Sequence, residues 1–309
     1  MIAFVMSGGG SRGALQVGAL RALFERGIRP TMLVGTSVGA LNAAFLAADP
    51  VPDRVEKLAE VWRRTRRADV YPGYPVHVAW RVVTGQGSLY PNDTFYRYLH
   101  RHVTPYAETF ADLRLPCYVT ATNLDTGAMR VLGAKPSDRV LDALMATTAL
   151  PPLHPPYPLD DGEYVDGAAV ALLPIEVALQ YGAREVYALH IVDAPTPTVG
   201  RRTLLHISGK AISALVQRQW QDSVARCAQS RVRLHHIQLV PLASVSMMDY
   251  SRTDDLIQAG YEQTLAYLAQ AQDAPTWSRR AWERAETWLR TVKLPDVKAV
   301  RLREQTPSS

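Results

Sequence analysis

The chain has 309 residues, enough for a large buried core in one or two domains. Its hydrophobic share of 47% and charged share of 20% are those of an ordinary globular protein, which excludes a fibrous or disordered chain apart from the polar residues 304–309. The net charge of +5 is compatible with an anionic partner such as a lipid headgroup, but no zinc finger or basic repeat points to nucleic acid, two cysteines cannot build a disulfide framework, and no stretch reaches the ~20 apolar residues of a membrane span.

Residues 1–6 are apolar but lack the basic flank and the length of a secretory leader, so the expected location is cytoplasmic, with peripheral membrane contact allowed. Ile2–Met6 is a short continuous apolar run ended by glycine, the pattern of a buried parallel strand. Gly8-Gly9-Gly10-Ser11-Arg12-Gly13 follows, then residues 14–26 with helical spacing through Leu15, Ala19, Leu20 and Leu23, stopped by Gly27. A second strand over residues 31–34 breaks at Gly35-Thr36-Ser37-Val38-Gly39, and an alanine-rich helix occupies residues 40–48. Strand and helix alternating through two glycine-rich turns predict a parallel sheet covered by helices.

Residues 68–91 hold Pro72, Gly73, Pro75, Gly85 and Gly87 among aromatics and are expected to form a long loop or lid. Residues 117–123 and 128–132, separated by Asp125-Thr126-Gly127, read as a hairpin. A helix is expected over 138–148, closed by the proline-rich residues 151–158, with strands over 185–192 and 232–240 and covering helices over 202–229 and 253–272. The final helix, 276–293, places Trp282, Trp288 and several arginines on an amphipathic pattern, which suits docking on the domain or a membrane interface. The expected organisation is a domain over residues 1–272 and a C-terminal helix and tail over 273–309. Cys117 and Cys227 lack metal-ligand spacing and read as small packed hydrophobes.

Chemistry concentrates in three places. Gly35-Thr36-Ser37-Val38-Gly39 fits G-x-S-x-G, where a serine on a sharp strand-to-helix turn exposes its oxygen and the glycines let the chain bend beside it. The helix start behind it favours developing negative charge. In the first glycine run, Gly8, Gly9 and Gly10 bring amides close to a substrate, as an oxyanion hole requires, and Arg12 adds positive charge. The same run fits the dinucleotide pattern G-x-G-x-x-G through Gly8, Gly10 and Gly13, but the acid that pattern wants at the end of the second strand is absent.

A nucleophilic serine also needs a base. None of the eight histidines stands in a recognisable triad; His154 and His190 are the foremost of them, and a structural role suits each. A buried carboxylate with a raised pKa can serve instead. Asp166-Gly167-Ala168, after the apolar Tyr164-Val165, supplies one, although Asp-Gly taken alone also reads as a turn.

The glycine loop, the serine elbow and Asp166-Gly167-Ala168, in that order and at that spacing, resemble the patatin-like phospholipases. Met145 to Pro151 is similar to the family's segment before the aspartate strand, and Ser251 to Asp254 with Ile257, Gly260 and Tyr261 to a late helix of bacterial members. The resemblance covers roughly residues 1–270; Ala168 departs from the commoner second glycine. It implies a three-layer α/β/α fold with a mostly parallel sheet, no cofactor or metal, and hydrolysis of lipid acyl esters through an acyl-enzyme. Ser37 would be the nucleophile, Asp166 its base, Gly8, Gly9, Gly10 and Arg12 the oxyanion hole, and Gly35 and Gly39 the flanks of the elbow. The alternative is a lipid-binding protein that keeps the fold without efficient catalysis.

Overall fold

The opening apolar run is strand β1 (Ile2–Met6), and its side chains alternate between two cores. Ala3 and Val5 join Met32, Val34, Ile175, Val177 and Cys227 on one face. On the other, Phe4 meets Phe24 and Tyr187 edge-on, with ring centroids 6.5 and 5.6 Å apart. A strand buried on both sides needs a helical layer over each face of its sheet. The computed structural model describes residues 1–192, 204–242 and 245–273, with backbone alone at 204–213, 228 and 271–273.

A tight 3-10 turn, Gly10–Gly13, leads from β1 into α1 (Ala14–Glu25); β2 (Met32–Thr36) turns directly into α2 (Val38–Ala47). Then come α3 (Pro52–Arg64), α4 (Arg67–Val70), α5 (Pro75–Val83) and α6 (Asp93–Val103). The hairpin is β3 (Cys117–Asn123) and β4 (Met129–Leu132), followed by α7 (Val140–Thr147), β5 (Tyr157–Leu159), β6 (Gly162–Asp166), α8 (Ala168–Ala171) and α9 (Ile175–Gln180). β7 (Glu185–Ile191), α10 (Leu204–Gln229), β8 (Arg233–Leu239) and α11 (Thr253–Asp273) complete the described elements. The expected helix over 276–293 lies outside the described residues.

The sheet order is β5-β6-β3-β2-β1-β7-β8, with β4 paired to β3 off that path. Strands β3, β2, β1, β7 and β8 are parallel, as the alternation of strand and helix predicts; β4, β5 and β6 run antiparallel to their partners. The register along β3 sets the site. Thr120 pairs with Thr36 and Val131, and Ala121 with Asp166 and Arg130. Since β4 holds one side of β3 from Val119 to Thr122, overlapping the pairings of both β2 and β6, those two must share the other. The C-terminal ends of β2 and β6 therefore meet head to head.

Residues 68–91 are not the loop their prolines and glycines suggested, since they include α5 and the end of α4. Pro75 opens α5, where a missing N–H costs nothing, and Gly73 (φ 101°) and Gly85 (φ 68°) flank it as turn residues rather than breakers. Gly260 also finds a reason: a side chain there would strike the Leu15 backbone, so α11 crosses α1 at close range. Both cysteines are buried, and burial pushes the Cys117 thiol up to about 12.

Candidate active site

Ser37 stands between β2 and α2 with φ 54° and ψ −127°, the sole non-glycine residue at positive φ among the described residues. Such a conformation costs of order 1–3 kcal/mol and persists only where neighbours enforce it. Here the enforcement is visible. The Ser37 N–H donates to Thr147 Oγ1 at 2.8 Å, and that hydroxyl donates to the Thr120 carbonyl at 2.6 Å. Thr36 Oγ1 lies 2.6 Å from Thr120 Oγ1 and donates to the Ala171 carbonyl at 2.7 Å. Gly35 and Gly39 are required by space: a Cβ on Gly39 would overlap the Met6 carbonyl, and one on Gly35 the backbone of Gly39 and Ala40. The elbow is thus pressed against the end of β1.

Asp166 arrives from the opposite direction on β6 and is 2% exposed. Its N–H donates to the Ala149 carbonyl at 2.9 Å, and its own carbonyl accepts from Thr122 Oγ1 at 3.0 Å. The carboxylate accepts the Ala168 N–H at 2.8 Å, and the Ser37 side chain, beside it, also favours its charged form. Burial raises its pKa to about 6, against the downward pull of those two neighbours. Ala168 needs no glycine freedom, because it is the first residue of α8 and helical. Gly167 does need its missing side chain, which would strike the Thr120 carbonyl.

The glycine loop crosses the same point. A Cβ on Gly8 would sit 3.3 Å from Ser37 Cβ and 3.8 Å from Ala168 Cβ. The Gly8 N–H is taken by the Leu172 carbonyl at 3.2 Å and the Ser11 N–H by the Met247 carbonyl at 2.8 Å. Gly8 therefore shapes the site through its lack of a side chain, contrary to its expected role as an oxyanion donor. The Gly9 and Gly10 amides lie between those two committed groups. Val38, the first residue of α2, adds an N–H of the kind a helix start leaves without an intrahelical acceptor; the sequence reading did not single it out. Arg12 Nε donates to the Gly9 carbonyl at 3.2 Å and braces the loop from within the site.

Behind the loop runs a buried amide chain that sequence reasoning also missed. Gln16 Nε2 donates to the Ser7 carbonyl at 2.8 Å, Asn42 Nδ2 to Gln16 Oε1 at 2.9 Å, and Trp62 Nε1 to Asn42 Oδ1 at 2.9 Å. Removing one member strands buried polar groups, each costing about 1–3 kcal/mol. The signal was available: three polar or amphipathic residues at positions where helix periodicity demands burial.

The two histidines singled out have other partners. His154 Nδ1 lies 2.9 Å from Asn92 Oδ1, its ring stacks between Tyr71 and Phe95, and burial lowers its pKa to about 4. His190 Nδ1 lies 3.0 Å from His236 Nε2, with Trp220 edge-on at 4.8 Å. Both line the cavity of about 1180 Å³ into which Ser37, Asp166 and the glycine loop open. Most of its remaining wall is apolar, including Trp62, Leu99, Leu172 and Met247.

A family model described as patatin-like phospholipase matches residues 4–179, more than half of the chain. The chain belongs to the patatin-like phospholipase family. The matched span holds the glycine loop, the elbow and Asp166, in the order the resemblance rested on. Within this family, human patatin-like phospholipase domain-containing protein 6 is 26% identical over 96% of this chain and 22% of its own length. Rat patatin-like phospholipase domain-containing protein 7 is 29% identical over 84% and 20%, and lysophospholipase NTE1 of Mycosarcoma maydis is 29% identical over 66% and 10%. The chain thus spans about a quarter or less of the length of the curated relatives it matches. Among solved structures, VipD from Legionella pneumophila aligns with a TM-score of 0.48 at 16% identity, covering 87% of this chain and 66% of that one.

Proposed function

We propose that the protein is a serine acyl-hydrolase acting on lipid acyl esters through a Ser37–Asp166 dyad. The reading rests on one observation above all: Ser37, held at φ 54°, opens into the same cavity as a buried carboxylate that its side chain influences and whose pKa burial raises to about 6. A base with that pKa is largely ionised at neutral pH yet basic enough to accept a proton as the hydroxyl attacks. Family membership and a relative named as a lysophospholipase support the substrate class, as does the large, mostly apolar cavity.

Ser37 Oγ attacks the acyl carbonyl while its proton passes to Asp166. The tetrahedral oxyanion is held by the N–H groups of Gly9 and Gly10, with Val38 as a further donor and Arg12 keeping the loop in place. Collapse returns the proton to the leaving alcohol and leaves an acyl-serine. Water then attacks that ester, Asp166 again takes the proton, and the fatty acid departs with Ser37 restored.

The test is labelling with a fluorophosphonate probe, mapped by mass spectrometry, beside fatty-acid release from phospholipid and lysophospholipid micelles. Labelling of Ser37 with release of fatty acid is expected. Lipid binding without labelling or turnover would leave the non-catalytic alternative.

A further inference from the structure

The helix α5 is amphipathic in an inverted sense. At about 100° per residue, Val76, Ala79, Trp80 and Val83 share one stripe. That stripe faces outward: Val76 and Trp80 are 68% exposed and Val83 is 82% exposed, with Tyr74 at the helix start likewise exposed. No residue of α5 is buried. The side turned inward is carried by Val78 and by Arg81, whose Nε donates to the Ser88 carbonyl at 2.9 Å and Nη2 to Ser88 Oγ at 3.0 Å. A water-facing helix normally turns its polar side outward.

Charge gathers on the same stretch. Residues 61–103 hold seven arginines and two aspartates, with no lysine and no glutamate, so their surplus equals the +5 of the whole chain. Arg63, Arg64, Arg66, Arg67, Arg97 and Arg101 are all exposed. The stretch is also a wall of the cavity. Trp62, Val70, Tyr71, Phe95, Tyr98 and Leu99 line it, and the base of the α5 excursion is tied to the wall by Leu89 and Tyr90 N–H groups donating to the Pro152 and Leu153 carbonyls, both at 2.9 Å.

We propose that residues 61–103 form a docking surface for an anionic lipid bilayer, with Tyr74, Val76, Trp80 and Val83 seated at the headgroup–acyl boundary and the exposed arginines against lipid phosphates. Aromatic and aliphatic side chains on one helix face, flanked by arginine, are the composition of an interfacial helix. The covering partner must match both an apolar ridge and a concentrated positive charge, and it must lie beside an apolar cavity; an anionic bilayer meets all three. Docking there brings the cavity wall to the membrane surface.

Binding is measured by vesicle flotation with Ser37→Ala protein, which separates the surface from the reading of the dyad. Vesicles are phosphatidylcholine alone or mixed with phosphatidylglycerol. Binding to the mixed vesicles is expected, weakening with salt. Trp80→Ser combined with Val83→Ser lowers partitioning at least about tenfold. Arg64→Gln with Arg66→Gln lowers it about tenfold on mixed vesicles and leaves phosphatidylcholine alone unchanged. The same substitutions in the Ser37 background leave turnover of a monomeric soluble ester intact, which certifies the fold. Absence of binding to mixed vesicles overturns the proposal, as does undiminished binding by the Trp80/Val83 variant. Sedimentation showing a dimer that the Trp80/Val83 substitutions dissolve would assign the ridge to a second copy instead, and would equally overturn it.

Discussion

Two regions border the same cavity on opposite terms. Along residues 6–13 and 35–39 the chain is mostly buried, its glycines are forced by close contact with neighbouring atoms, and its polar groups are met from inside the protein by Gln16, Thr120, Thr147 and Leu172. Along residues 73–87 nearly every residue is exposed, and the apolar ones, Val78 apart, point away from the fold. The first region holds the proposed nucleophile against strain, which demands redundancy in everything around it. The second gains nothing from internal packing, so its composition answers to what lies outside.

Substitution should separate the two most sharply at the elbow. Ser37→Ala is expected to lower kcat/KM for p-nitrophenyl esters by at least about 10⁴-fold, the scale at which a nucleophile is lost. Ser37→Gly should be equally inactive yet more stable by about 1 kcal/mol, since glycine adopts φ 54° without penalty. A Ser37→Gly protein that melts below the wild type would show that the elbow is not strained.

Asp166 comes next. Asp166→Asn should reduce kcat/KM by roughly 10³-fold or more, and the wild-type rate should fall about tenfold per unit as pH drops below about 6, where the base becomes protonated. Stability runs the other way. Its folded pKa lies above the value of an unfolded aspartate, so the stability tied to its proton is present below about pH 4 and lost as pH rises through about 6. That loss is about 3 kcal/mol. Melting temperatures at pH 4 and pH 8 check it by difference: between those pH values the wild type should lose stability relative to Asp166→Asn, since His154 and the other titrating groups are common to both proteins. Parallel pH dependence in both proteins would remove Asp166 as the strained group.

A smaller effect is expected at Thr147, whose hydroxyl joins the Ser37 N–H to the Thr120 carbonyl. Thr147→Val keeps the shape but strands both groups, costing about 1–3 kcal/mol of stability. It should lower kcat about tenfold or more with KM little changed. Unaltered turnover would mean that the other contacts alone position the elbow.

What the sequence disclosed follows from the range of the signals. Ile2–Met6 and Met32–Thr36 are legible because burial on both faces writes a continuous apolar run, and the elbow because its glycines are forced by neighbours within a few residues. That the ends carrying Ser37 and Asp166 lie close was not legible from local pattern, since it depends on β2 and β6 sharing one side of β3, a pairing between segments far apart in the chain. Thr147 carries no local mark: a threonine at a helix end looks the same whether or not it holds a strained elbow. At residues 68–91, Pro75 and Gly73 were read as breakers when they open a helix, because a cap and a break use the same residues. The arginine surplus was countable from the start, but its meaning needed the direction in which α5 faces.

The smallest expected effect belongs to that helix. Val83→Ser replaces an apolar side chain that is 82% exposed, so little buried area and no internal hydrogen bond is lost. A surface substitution of this kind should shift stability by no more than about 0.5 kcal/mol, since serine and valine differ little in helix propensity and the site lies at the end of α5. Thermal melting with soluble-ester turnover measures both consequences, and each should match the wild type. A loss on the scale of about 2 kcal/mol would mean that Val83 packs against the protein's own chain, and the contrast between a self-sufficient floor and an outward-facing rim would fail at its weaker end.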